Sequence, residues 1–256
     1  KMKLFKILFF TAGLLPSYLM AWNNPGEPFS GQLKFAGEVK NTKNPWLWKL
    51  GGGKNDLIIK TSKDAARNRK NIIQLALPEM TILLGKTSFA TPAGREGLAP
   101  RVTYGSGEKG FSLKWTDQGV AELTLPVKGD NGINVGSLNF KMRAMAVLRH
   151  SFAGRENYIN LYDNSNGNGL PDKSHLLGSL NVSGHLEKVF NGEGPQWLKQ
   201  INITETSNII RFNDSSLHQV EGVYGAQIVP NSGELSLTGQ EISNWHVSLP
   251  VNIEYH

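Results

Sequence analysis

The sequence predicts an all-β fold, a sandwich of short strands. Three observations carry that prediction. Short apolar or alternating runs recur along the chain, separated by segments rich in Gly, Asn and Pro, and the 28 glycines suit that many turns. Helix-like stretches are few. The C-terminal segment NWHVSLPVNIEYH alternates strictly, with Trp245, Val247, Leu249, Val251, Ile253 and Tyr255 on one face and His246, Ser248, Pro250, Asn252, Glu254 and His256 on the other. Alternation of that length is the pattern of a strand with one buried face.

In chain order, residues 1–21 read as a signal peptide. Lys3 and Lys6 precede an apolar run from Ile7 to Leu15, then a Pro/Ser break and the small Ala21. The run is shorter than the roughly 20 residues a transmembrane helix needs. The mature chain is therefore expected to begin at Trp22, and it reads WNNPGEPFSGQLKFAGEVK. Here Phe29, Gly31, Leu33, Phe35, Gly37 and Val39 share a face, behind a leader kept extended by Pro25 and Pro28. The predicted strands are Leu33–Val39, Leu57–Ile59, Ile72–Leu77, Thr81–Leu84, Phe111–Trp115, Ala121–Val127, Val135–Phe140, Asn208–Phe212, Glu221–Val229, Glu234–Leu237 and Trp245–Tyr255. Asp64–Lys70, His185–Phe190 and Gln196–Gln200 are expected to form one or two helical turns each. Residues 150–200 are the least strand-like and read as an insertion of loops and short helices on a single sandwich.

Composition narrows the function. The chain has 27 basic and 21 acidic residues, but Lys1, Lys3 and Lys6 leave with the signal peptide, which lowers the net charge from +6 to +3. No basic stripe runs along a helix, so nucleic acid is not an expected partner. Cysteine is absent, which excludes disulfides, thiol catalysis and thiolate metal sites.

Motif-like stretches do not hold up. Gly85–Thr87 ends like a phosphate-binding loop, yet the glycine required five residues earlier is Met80. Asp163–Ser174 has the flavour of a calcium loop with too few carboxylates and no Glu at its twelfth position. His150, His175, His185, His218, His246 and His256 show no metal-ligand spacing. No cofactor, metal or catalytic residue is expected, and the chain does not read as an enzyme. Trp46 and Trp48 could stack on a sugar ring or fill the core; the core reading is preferred.

Both ends of the mature chain are thus one-sided strands, and one of them suits pairing with a neighbouring molecule. WLWKLG (Trp46–Gly51), TILLGKTSFATPAGREGLAP (Thr81–Pro100), YGAQIVPNSGELSLTGQEISNW (Tyr224–Trp245) and LPVNIEY near the C-terminal end resemble the FaeG-like family of kappa-class chaperone–usher fimbrial subunits. The similarity covers the N-terminal two-fifths and the last fifth. It is weak from Arg143 to Val220, which favours a minor subunit of the FaeH, FaeI or FaeJ type. A glycine common in the family about fourteen residues from the end is replaced by Ser243, and Gly239 is the nearest glycine.

The resemblance implies an incomplete immunoglobulin-like sandwich whose last strand is supplied in trans. Residues 22–41 would be the donor-strand extension, with Phe29, Leu33, Phe35, Gly37 and Val39 facing the acceptor. Residues 42–256 would form the pilin-type sandwich, with an insertion at about 143–220. Trp245, Val247, Leu249, Val251, Ile253 and Tyr255 would form the strand that a chaperone pairs with. The implied partners are a periplasmic pilus chaperone, an outer-membrane usher, neighbouring fimbrial subunits and, for an adhesin, a host glycan receptor. The implied route runs through the periplasm to an extracellular fimbria. Any ligand site is expected within Arg143–Trp197. The alternatives are a major adhesin binding host glycans, a freestanding secreted carbohydrate-binding sandwich and an outer-membrane β-barrel.

Overall fold

A computed structural model describes residues 44–51, 72–164, 167–238 and 244–256. The signal peptide, the segment 22–41 with its five donor positions, the strand expected at Leu57–Ile59 and the turn at Asp64–Lys70 lie outside the described residues. The elements are β1 (Trp46–Leu50), β2 (Ile72–Leu75), β3 (Thr81–Thr87), β4 (Thr91–Ala93), β5 (Pro100–Tyr104), β6 (Ser112–Asp117), β7 (Val120–Gly129), β8 (Asn134–Phe152), β9 (Arg155–Tyr162), α1 (Ser179–Phe190), β10 (Ile203–Asn208), β11 (His218–Ile228), β12 (Gly233–Leu237), β13 (Trp245–His246) and β14 (Val251–Tyr255). The fold is an all-β sandwich with a small helical insertion, as the sequence predicts.

The 19-residue β8 organises the sandwich. Its first half lies between β7 and β12, and its second half between β9 and β11. The sheet then runs outward through β11 and β3 to β1 on one side and through β12 to β2 on the other. This path is open, not closed into a barrel. Side chains of the two halves meet inside, where Leu83, Leu123, Leu125, Leu138, Leu148, Leu161, Tyr224 and Leu235 are buried.

A second cluster lies on the opposite face. Val182, Leu186, Val189 and Phe190 of α1 recur at helical spacing and cover Leu84, Met145, Val147 and Val223. Residues 144–148 of β8 are therefore buried on both faces and read as AMAVL, an unbroken apolar run without alternation. Asn191 ends the helix in the left-handed region (φ 46°), its N–H donating to Glu187 O at 3.0 Å. Contact is close at Gly225, where a Cβ would lie 2.7 Å from Val189 Cγ1. Gly225→Ala is expected to lift the helix and destabilise the chain by about 1–3 kcal/mol, read as a lowered urea midpoint.

Within 143–220, β9 and β10 pair in parallel. A parallel pair needs a long crossover, usually through a helix. The helical material, α1 with 3-10 turns at Lys173–His175 and Gln196–Gln200, is that crossover. The strand expected at Asn208–Phe212 is instead a 3-10 turn over Ile209–Asn213. Asn208 caps it, its side-chain oxygen accepting from Ile210 N at 3.0 Å, and Ile209 and Phe212 are buried three residues apart, as a helical turn requires.

The run Trp245–Tyr255 is not one continuous strand. Trp245 and His246 pair with Gly129 and Lys128 of β7, residues 247–250 belong to no strand, and β14 pairs antiparallel with β5. Pro250, without an N–H, closes the gap. The alternation survives: Trp245, Val247, Leu249, Val251 and Ile253 all pack against the core.

Candidate functional site: the unpaired edges of β1 and β14

β14 pairs only with β5 among the described residues. The other side of β5 is closed by the loop after β9. Asn168 accepts from Tyr104 N (2.7 Å) and donates to Tyr104 O (2.9 Å), and Gly169 N donates to Val102 O (3.0 Å). Among the described residues the free edge is therefore that of β14. β1 likewise pairs only with β3 among the described residues, from Trp46↔Thr87 to Leu50↔Leu83.

The two edges are tied together at one end. Trp46 Nε1 donates to Leu98 O at 3.0 Å and Asn44 Nδ2 to Gly97 O at 2.7 Å, while His256 N donates to Ala99 O at 3.0 Å. Trp48 Nε1 then donates across to Tyr255 OH at 2.9 Å. β1 runs away from this tie and β14 runs toward it.

The wall beside the tie is aromatic. Trp46 and Trp48 stack with centroids 5.2 Å apart and planes 16° from parallel, and Trp48 sits 5.7 Å from Tyr224. Trp48 can lie flat on the sheet because Gly85 is beneath it, where a Cβ would fall 2.3 Å from the indole. The two tryptophans are thus core residues, Trp46 buried and Trp48 partly so. Tyr224 OH meets Tyr104 OH at 2.9 Å and donates to Gly169 O at 2.7 Å, and burial pushes both phenols well above their ordinary range. Tyr224→Phe leaves Tyr104 OH and Gly169 O short of a partner and is expected to cost about 1–3 kcal/mol in chemical unfolding.

The apolar face of the C-terminal segment is only partly covered among the described residues. Trp245, Val247, Leu249, Val251 and Ile253 are each only half-buried, although they pack on a core whose Leu123, Leu125 and Leu235 are at most 1% exposed. Tyr255 and, on β1, Leu50 are exposed. Residues 245–253 thus form a half-buried apolar strip, and among the described residues no strand pairs with the outer edges of β1 and β14.

The motif-like stretches serve the fold. Gly85 and Thr87 lie in β3, where Thr87 Oγ1 accepts from Gly222 N at 3.0 Å. Asp172 caps the turn at Lys173–His175, and the Ser174 hydroxyl donating to it leads the interactions that hold its carboxyl at about 2. Its folded-state pKa is depressed, so the unfolded chain takes up more protons as pH falls. The stabilising contribution is present above about pH 4 and is lost on the way to about pH 2. Thermal unfolding of Asp172→Asn beside the parent should show a gap at pH 5 that closes by about pH 2.

One half-buried polar cluster had no mark in the sequence. Arg149 of β8 pairs with Glu221 of β11 and Glu156 of β9, Tyr158 OH donates to Glu156 at 2.7 Å, and Trp197 Nε1 donates to Glu221 at 3.3 Å. All but Glu221 lie in the Arg143–Trp197 region where a ligand was expected, and apart from Arg149 Nε, which has no hydrogen-bond partner among the described residues, their polar groups pair with one another. The Arg149 guanidinium holds the Glu156 carboxyl below the ordinary range.

The described residues thus form an open all-β sandwich with a small helical insertion and a half-buried apolar face near its C-terminal end. The chain matches the family described as "Fimbrial, major and minor subunit" over residues 2–256 and belongs to it. It is a structural component of a cell-surface fimbria and associates with other fimbrial subunits. A similar protein is the K88 minor fimbrial subunit FaeI of Escherichia coli, 50% identical over 254 residues that span 99% of this chain and 100% of that protein.

Proposed function

We propose that this fimbrial subunit acts as a minor subunit assembled by donor-strand exchange. The observation that carries the reading is the half-buried apolar face of residues 245–253 beside the edges of β1 and β14 that have no strand partner among the described residues. An exposed groove of this kind drives aggregation unless a strand fills it. The segment 22–41 has the matching pattern, with Phe29, Leu33, Phe35 and Val39 on one face and Gly37 suited to a shallow position. Burying those four side chains at about 1.5–3 kcal/mol each gives about 6–12 kcal/mol before ordering costs. That is comparable with the stability of a whole domain.

In this reading the signal peptide exports the chain to the periplasm. A chaperone there lends a strand beside β14, and at the outer-membrane usher the extension of a neighbouring subunit replaces it. Because β1 and β14 run in opposite senses relative to the tied end, the inserted strand is parallel to one and antiparallel to the other.

Three versions of the chain test the proposal by size exclusion and thermal unfolding. One starts at Trp22, one lacks 22–41, and one carries that segment at its C-terminus behind a short flexible linker. The first two are expected to multimerise or aggregate, and the third to be a monomer with a much higher Tm. A stable monomer from Trp22, unchanged when the segment is moved, would overturn the reading.

A further inference from the structure

We propose that the hydrogen bond from Trp48 Nε1 to Tyr255 OH is the register lock of the C-terminal strand. β14 lies on β5 with Val251↔Tyr104, Ile253↔Val102 and Tyr255↔Pro100 facing inward and Asn252↔Thr103 and Glu254↔Arg101 facing outward. A one-residue slip would turn the apolar face outward and is excluded by burial. A two-residue slip is different, because the apolar alternation continues upstream through Leu249 and Val247. Sliding β14 by two residues in either direction keeps apolar side chains over the core.

Apart from Pro250, which has no N–H to offer if it slid opposite Thr103, other contacts do little to forbid that slip. No short turn connects β14 to β5, and residues 247–250, which belong to no strand, offer slack between β13 and β14. On the outer face Arg101 reaches both Glu254 (3.5 Å) and His256 (3.1 Å). Those partners are two residues apart, so a long side chain keeps one of them in either register, and an exposed pair of this kind contributes little.

Tyr255 supplies what the pattern lacks, the one inward-facing hydroxyl of the run 245–255. Its donor is immobile, since the Trp48 indole is held by Trp46, Gly85 and Tyr224. A slip by two moves the hydroxyl about 7 Å and leaves Nε1 without this acceptor. One such hydrogen bond shifts the balance of registers by about two- to twelvefold. The lock acts within the chain itself and does not depend on what fills the groove.

The absence of native cysteine makes cross-linking a clean test. In a strand pair, directly opposed residues lie about 5.5 Å apart, within disulfide reach, while diagonal ones lie about 7–8 Å apart and fall outside it. In the full chain, N252C with T103C is expected to close, whereas T103C with E254C and R101C with N252C are not. Tyr255→Phe, and independently Trp48→Phe, should raise closure of the slipped pairs by about two- to twelvefold. T103C with S248C reports fraying of the segment and should stay open throughout. Slipped-pair yields that do not change in either variant, or that rise together with the fraying pair, would overturn the lock.

Discussion

Glu221→Ala is expected to destabilise the chain by about 3–5 kcal/mol, and Glu156→Ala by about 1 kcal/mol or less. Both remove a carboxylate from the same guanidinium, and burial separates them. The Arg149 and Glu221 side chains are 15% and 18% exposed, whereas Glu156 is 39% exposed. Without Glu221, Arg149 keeps its charge in a poorly hydrated position and Trp197 Nε1 loses its acceptor. Without Glu156, water can reach the guanidinium from the exposed side. The Glu221 variant should therefore lose roughly 6–20 °C in Tm for a chain of this size. Urea unfolding of both variants checks the ranking, and equal losses would show that burial does not set the cost. Replacing Arg149, Glu156 and Glu221 together by apolar residues should cost less than Glu221→Ala alone, because no half-buried guanidinium is left with only part of its pairing.

That cluster shows where the sequence is silent. Glu156 lies only seven residues from Arg149, but Glu221 lies 72 residues away, and nothing in that spacing says that β11 neighbours β8. Strands with one buried face were legible: β12 and the C-terminal run alternate because one side meets the core and the other meets water. The middle of β8 was not, because α1 covers its second face and removes the polar half of the pattern. NIIRF was ambiguous for another reason. Ile209 and Phe212 suit a strand in composition, and only the capping by Asn208 and the spacing of three decide for a turn. β5 was missed because Pro100, Val102 and Tyr104 are its only inward residues, too short a run to stand out beside Arg101 and Thr103.

The apolar half of the candidate site was readable, and its geometry was not. Alternation from Trp245 to Tyr255 announced a one-sided strand, and the half-burial of that face is its counterpart in the fold. The division into β13 and β14 depends on two different partners, β7 and β5, which no local pattern specifies. The tie between Trp48 and Tyr255 joins residues 207 apart in sequence. The two tryptophans were legible as core, because alternate positions of a strand share a face.

Phe212→Ala should destabilise the chain by about 3–5 kcal/mol and also loosen the β1 edge. Phe212 is fully buried and meets Trp46 edge-to-face, with centroids 5.4 Å apart and planes at 73°. It fills the space above Gly222, where a Cβ would fall 2.3 Å from its ring. Removing the ring takes away the support behind Trp46, which in turn stacks on Trp48. The effect should therefore travel from the 3-10 turn to the edge strand. Phe212→Leu keeps most of the volume and should lose much less stability. A double-mutant cycle of Phe212→Leu with Trp46→Phe tests the coupling, which should reach about 0.5–1.5 kcal/mol for an aromatic pair in contact. The second readout is amide exchange in β1, which should accelerate in Phe212→Ala more than exchange in β12. If the cycle is additive, or if β1 and β12 exchange alike, the turn stabilises the sandwich as a whole and does not position its open edge.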